Sequence, residues 1–301
     1  MTNWAVVDPP TNTFTFETQG EIFMPTFATQ GPIVATVEVG GAQVRVTASD
    51  RTDTVVLVEP IDEANRSDVK VADKTKVEFA DGQLSVKTTV SGSKTGSVAI
   101  TIDLPTGSSL AAYLAHSVVH ADGSFGECEL HMASGQVQLD RIDALRANIA
   151  SGEVAIGHIA GPATIDGGAF VLRIGEVEGT AKLSNSGGQV WIGHAWADVD
   201  LGSASCDFDI DRADAHVTGS TASGAIRIGR MTNGQAKLRN GSGNIEVGIS
   251  EGTAASIDVN SERGAVHNFV SSQGEPGPSD AKVSVHARTR HGDITLQRAA
   301  S

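Results

Sequence analysis

The chain has 301 residues, 40% of them apolar, and a formal charge of −14. The apolar fraction can build a core and excludes wholesale disorder. The acidic balance excludes nucleic acid, whose phosphates need concentrated basic charge, and also docking on anionic lipid. Aromatics reach only 4% against 34 glycines, which suits thin β layers of Val, Ile, Leu and Ala better than a helical bundle.

From the start, Met1 to Pro10 holds no basic stretch leading into an apolar one, so no export signal is read there. No run of about 18 apolar residues follows anywhere, which argues against membrane insertion. The expected location is cytoplasmic. Residues 1–105 read as aperiodic β-strands: Val37 and Val39, Val44 and Val46, and Leu84 and Val86 alternate around the turn signals Gly40-Gly41 and Asp81-Gly82. Ile100, Ile102 and Leu104 end at Pro105. This third is expected to form the N-terminal cap or early coils, with a separate small β domain as the alternative.

Residues 106–301 repeat, most plainly from about residue 117. Val154-Ala155-Ile156-Gly157 recurs as Leu172-Arg173-Ile174-Gly175, Val190-Trp191-Ile192-Gly193, Phe208-Asp209-Ile210-Asp211 and Ile226-Arg227-Ile228-Gly229. The spacing is 18 residues, becoming 19 before Ile245-Glu246-Val247-Gly248 and 17 after Val137-Gln138-Leu139-Asp140. A Ser-Gly or Gly-Gly pair precedes most copies, at Ser134-Gly135, Ser151-Gly152, Gly187-Gly188, Ser223-Gly224 and Ser242-Gly243. An Ala-x-aliphatic step accompanies them, as in Ala147-Asn148-Ile149, Ala163-Thr164-Ile165, Ala181-Lys182-Leu183, Ala215-His216-Val217 and Ala255-Ser256-Ile257, with Cys128-Glu129-Leu130 in the same slot. One such unit cannot bury enough apolar surface to stand alone, so the units must stack. The expected fold is all-β: a single-stranded parallel β-helix, or β-solenoid, with ~18-residue repeats, an irregular N-terminal cap and C-terminal capping strands. Glycine at the bends is expected to supply positive φ. Asp140 to Ile149 alone has helical spacing; the repeat register overrules it and makes it strand.

Near the end, Gly264-Ala265-Val266 keeps the pattern, Ser271 to Pro278 reads as a loop, and Lys282 to Arg288 alternates again. Gly292-Asp293-Ile294-Thr295-Leu296 is expected to be the final strand, and such atypical ends stop end-to-end growth. The Ser-Gly-x-Val strands, the closing Arg288 to Thr295 and the N-terminal Trp4 resemble a bacterial putative-adhesin family, a β-strand-repeat domain of unknown function. The likeness runs over nearly the whole chain. It implies a β-helix-like fold and brings no catalytic residues.

Stacked copies place outward residues in ladders about 4.8 Å apart. The position after the recurrent Gly reads Arg141, His158, Glu176, His194, Arg212, Arg230. Glu176 between two histidines has the makings of a metal or pH-sensing site, but ligands spaced along an axis do not converge, and a solvated row is preferred. Trp191 is expected to face outward with Arg173 below and Asp209 above, a cation–π or partner contact that Trp196 extends. Burial of either Trp at a corner is the competing reading. Cys128 and Cys206 are expected to lie too far apart to bridge. His116 and His120 stand at zinc-like spacing, but on a strand they are about 13 Å apart. Neither metal nor cofactor is expected. The preferred function is a non-enzymatic binding or scaffold module for a protein or cell-envelope component. The alternative is a carbohydrate-active β-helix enzyme using the acidic cluster over residues 198–214, in which Asp207, Asp209 and Asp211 share the outer face.

Overall fold

A computed structural model describes residues 12–14, 24–88, 96–270 and 282–299. Trp4 and the loop read over Ser271 to Pro278 lie outside those residues. With 76% strand against 3% helix the protein is all-β, and among the described residues twenty strands join one hydrogen-bonded sheet with a solenoid-like course.

The repeating residues set the geometry. Ala163–Val177 pairs in parallel with Ala181–Ala195, and that strand with Val199–Ala213. Ile156, Ile174, Ile192, Ile210 and Ile228 are successive direct partners. Each is at most 3% exposed. A second file, Val154, Leu172, Val190, Phe208, Ile226 and Ile245, runs beside it. Each such side chain contributes about 1.5–3 kcal/mol by leaving water, and the two files form one lengthwise core.

The run Ser109–Ile159 is continuous strand over 51 residues, which would reach about 170 Å if straight. It instead winds back on itself: the Ser134 hydroxyl lies 2.7 Å from His116 Nδ1, and Gln138 Oε1 lies 3.2 Å from His120 Nδ1, each pair 18 residues apart. Asp140 to Ile149 is strand within this run, as the register required. Its helical spacing is overruled because the inward residues Leu145, Ala147 and Ile149 also satisfy a period of two.

Two glycine sets perform different tasks, which corrects the expectation that all bends need positive φ. At the Ser-Gly corner Gly188 has φ +113°, and a Cβ there would lie 1.9 Å from the Phe170 carbonyl oxygen. Gly175, after the isoleucine, has no positive φ. It is glycine for space alone, since a Cβ would sit 2.4 Å from Gly157 O. Inside each Ser-Gly corner runs a polar row that composition did not reveal. Asn185, Ser203, Thr221 and Asn240 are register partners. Asn185 Nδ2 donates to Gly187 O at 2.9 Å, Thr221 Oγ1 to Ser223 O at 2.7 Å, and Asn240 Nδ2 to Gly224 O at 3.0 Å. These bonds give the inward donors of the row partners at the corner, while Asn185 Oδ1 and Asn240 Oδ1 find none among the described residues.

Some slots differ from those read in the sequence. Ala163 stands opposite Leu145 rather than Ala147, and Val199 opposite Val217 rather than Ala215. A two-residue slip leaves the same face inward, so alternation alone could not discriminate.

The N-terminal strands belong to the same sheet. Val34–Gly40 and Ala42–Ser49 pair in parallel with the Ser109–Ile159 run on one side. On the other they pair with Gln83–Lys87 and Val98–Pro105. Beyond that the pairing turns antiparallel, through Asp53–Pro60, Thr26–Ala28 and Lys76–Ala80. An α-helix, Arg66–Lys74, is a departure from the all-strand reading. Its N-cap is Asn65, whose side chain accepts from Ser67 N at 2.9 Å. The buried Asp68 carboxylate accepts from Ser97 N at 2.8 Å and so ties the helix to the sheet.

At the other end, chain order and stacking order part company. Lys282–His291 lies between Gly234–Ser242 and Ala254–Arg263, and Ile294–Ala299 between Ile245–Ser250 and Val266–Asn268. The last strand of the chain is therefore not the last of the stack; the coil over residues 254–268 is.

Candidate binding surface

Outward ladder positions stand in the expected file. His158, Glu176, His194, Arg212 and Arg230 are consecutive register partners. The two histidines, however, pair along the next bend rather than with Glu176. His158 Nε2 lies 2.9 Å from Glu178 Oε1, and His194 Nε2 lies 2.7 Å from Asp214 Oδ2. Glu176 is not the partner of either histidine. The reason is geometric: a residue two places beyond the ladder, one coil on, reaches the ring nitrogen, whereas direct neighbours stack side by side.

Asp214 is the hub. Besides His194 it accepts from Arg212 Nε at 3.0 Å and from Thr232 Oγ1 at 2.6 Å. Burial works against its charge, but the bonds from Arg212, Thr232 and His194 outweigh that and hold its carboxyl down at about 2. On this base rests Trp196, 50% exposed. Its ring centroid is 4.0 Å from that of His194, and the Arg212 guanidinium carbon is 6.0 Å from the same ring. The cation–π contact thus forms at Trp196 with Arg212, whereas Arg173 and Trp191 were the expected pair.

Trp191 does face outward, between Arg173 and Asp209 in register. It is half-buried because its ring folds over Gly193, and its indole nitrogen donates to Asp211 Oδ2 at 3.1 Å. Arg173 instead pairs with Glu153. The structure therefore gathers Trp196, His194 and Arg212, and leaves Arg173, Trp191, His158 and Glu176 outside that cluster. Arg230 stacks beyond Arg212 in the ladder. Asp214 was visible in the sequence only as one of several acids; a spacing of twenty, rather than eighteen, was its signal.

Of the other acids of residues 198–214, Asp198, Asp207, Asp209 and Asp211 are engaged. Arg227 bridges Asp209 and Asp211, which raises its own pKa. Asp198 Oδ1 accepts from His216 N at 3.1 Å, and Asp207 Oδ1 from Ala225 N at 2.8 Å. Among the described residues no three His, Cys, Asp or Glu side chains come together as a metal-holding group. Cys128 and Cys206 are free and buried. Burial pushes the Cys128 thiol up to about 12 and raises that of Cys206 as well. His116, which has φ +51°, borders a cavity of about 680 Å³ also lined by Glu38, Tyr113, His131 and Asn148. The Tyr113 and His131 rings stack 4.9 Å apart within it. No local pattern marks this groove, since its walls come from five separate stretches of the chain, around residues 38–41, 88, 113–116, 131–133 and 148–150. Among the described residues no helix is long and apolar enough to cross a membrane.

Residues 35–297 match the family model described as Toastrack DUF4097. A putative adhesin from Bacteroides fragilis is 14% identical, with 92% of this chain and 97% of that chain covered and a TM-score of 0.39. A putative adhesin from Parabacteroides distasonis is 12% identical, covering 93% and 98%, with a TM-score of 0.36. A putative cell adhesion protein from Clostridium sporogenes is 11% identical, covering 92% and 100%, with a TM-score of 0.26. No curated protein matches the chain. The expected cytoplasmic location is corrected by these findings, because adhesins and cell adhesion proteins are extracellular or surface-associated.

Proposed function

The chain belongs to the Toastrack DUF4097 family, and from that premise we propose that it is a non-enzymatic binding or scaffold protein. Its body is a single-stranded parallel β-helix with coils of about 18 residues. The 18-residue partner spacing from Ile156 to Ile228 supports this reading. The N-terminal third forms the early coils and cap of the same body, a reading supported by the parallel pairing of Val34–Gly40 and Ala42–Ser49 with the repeat region.

The contact surface is Trp196 with His194 and Arg212, facing a protein or cell-envelope component. One observation carries this: a half-exposed Trp is held over a charged cluster whose hub, Asp214, is bonded on three sides. A prearranged aromatic beside Arg is the residue type on which binding energy concentrates, and prior ordering removes part of the entropic cost of association. The remaining ladder residues, Arg173, Trp191, His158, Glu176 and Arg230, flank it as complementarity.

The test is retention of native envelope fractions on immobilised protein, comparing the natural chain with Trp196→Ala and Arg212→Ala. At least about a tenfold loss is expected with Trp196→Ala; retention unaffected by either change would refute this surface. The enzyme reading has less support, because Asp209 and Asp211 are bridged by Arg227 and neither stands as a free acid or base. Turnover on a glycan panel that disappears with Asp209→Ala and Asp211→Ala would reverse that preference.

A further inference from the structure

We propose that the C-terminal end of the column is a self-association surface, which meets the same end of a second copy of this chain about a two-fold axis. This goes beyond the partner reading and involves none of the Trp196 cluster. The outermost coil, over residues 254–268, is hydrogen-bonded on one side only among the described residues. Its inward row Ala255, Ile257 and Val259 covers Val283, Val285 and Ala287, which are at most 1% exposed, yet is itself only partly buried. Val266 is 44% exposed, whereas Ile294, its partner, and Ile245 beyond are 0% exposed. Phe269, the residue just after this coil, is 66% exposed. Among the described residues the apolar column thus ends open.

The edge is also only lightly defended. Natural sheet edges are commonly blunted by Lys, Pro or free charge; Ala254–Arg263 contains no Lys or Pro, and its acids are engaged within the stack, Asp258 by Arg288 and His286 and Glu262 by Arg290. At the opposite end the stack is shut by the antiparallel strands Asp53–Pro60 and Thr26–Ala28 and by the helix Arg66–Lys74. A head-to-tail filament would need that end open, so two copies of this chain can meet over the column only like against like. Such a contact is isologous and closes after two copies.

A two-fold axis runs Ala254–Arg263 antiparallel to its twin, and side-chain alternation restricts the register. With Val259 on the axis, Asp258 faces Asn260, Ser256 faces Glu262 and Ile257 faces Ser261. Moving the axis by one residue puts Asp258 opposite either itself or Glu262, and like charges directly opposite are destabilising. The Val259 register is the one of these three free of that penalty.

Sedimentation velocity of the full chain across a wide concentration range tests the proposal. The natural protein is expected to show a concentration-dependent dimer. Val266→Lys and Phe269→Lys alter side chains already more than 40% exposed, so the monomer still folds, and each is expected to weaken the dimer at least about tenfold. Ile61→Lys, at the shut end, leaves it intact. A natural chain that stays monomeric throughout overturns the proposal, as does a dimer that neither Val266→Lys nor Phe269→Lys weakens, or one that Ile61→Lys disrupts.

Discussion

The Trp196 ring lies 4.0 Å, centroid to centroid, from the ring of His194, with the planes tilted by 32°. That contact depends on His194 being held by Asp214, which Arg212 and Thr232 hold in turn. The exposed indole is therefore positioned from beneath, through a carboxylate on the first residue after Val199–Ala213.

Asp214→Asn is expected to loosen this support. The carboxyl titrates at about 2 when folded, against an ordinary 3.8. Its folded pKa is depressed, so its stabilisation is fully present above about pH 4 and is lost as pH falls toward about 2. The substitution should cost about 2 kcal/mol near neutral pH, with the difference from the natural chain shrinking over that acidic window. Denaturant unfolding at a series of pH values measures it, and Trp196 fluorescence should shift to the red.

Core truncation should depend on position in the file. Ile192→Ala removes a side chain 1% exposed with partners on both neighbouring coils. About 3 kcal/mol of destabilisation is expected. Val34→Ala, at 45% exposure, should cost less than about 1 kcal/mol. Equal effects in urea melts would contradict a continuous core.

The two kinds of positive-φ glycine should separate in thermal melts. Gly82 has φ +73° with open space around its missing side chain, so Gly82→Ala bears the conformational cost alone, about 1–2 kcal/mol. Gly188→Ala adds a collision with Phe170 O at 1.9 Å and should lower the melting temperature considerably more.

Neither thiol should react in the native protein. Cys128 is buried with its pKa pushed up to about 12, and Cys206 is shifted the same way. Because the thiolate is the reactive form, alkylation at mildly alkaline pH should stay slow until denaturant is added, then label both cysteines. Rapid labelling of the folded chain would show that a corner opens.

The isoleucine file was legible because two periodicities agree on it: alternation says which residues point inward, and the 18-residue recurrence says which stand above one another. Where the two gave no joint answer, reading went astray. Ala147 and Leu145 both face inward, and only the backbone register places Leu145 beside Ala163. The helix Arg66–Lys74 carried its own marks, Asn65 as cap and Asp68 in the first turn. The strands around it are aperiodic, so no repeat register sets it apart from them. Arg212, His194 and Trp196 were on the expected surface, but their organiser Asp214 was not singled out.

What the chain alone determined is everything local or repetitive: strand faces, Ser-Gly corners and the stacking interval, since each follows from backbone sterics and from burying small apolar side chains at fixed spacing. What tertiary structure decided is the order of the final coils and the partners of outward charges. Lys282–His291 enters between two segments that precede it in sequence, and His194 selects Asp214 over Glu176. Those outcomes turn on distances between segments, which successive residues do not encode, because any coil with the same inward pattern fits equally well into the stack.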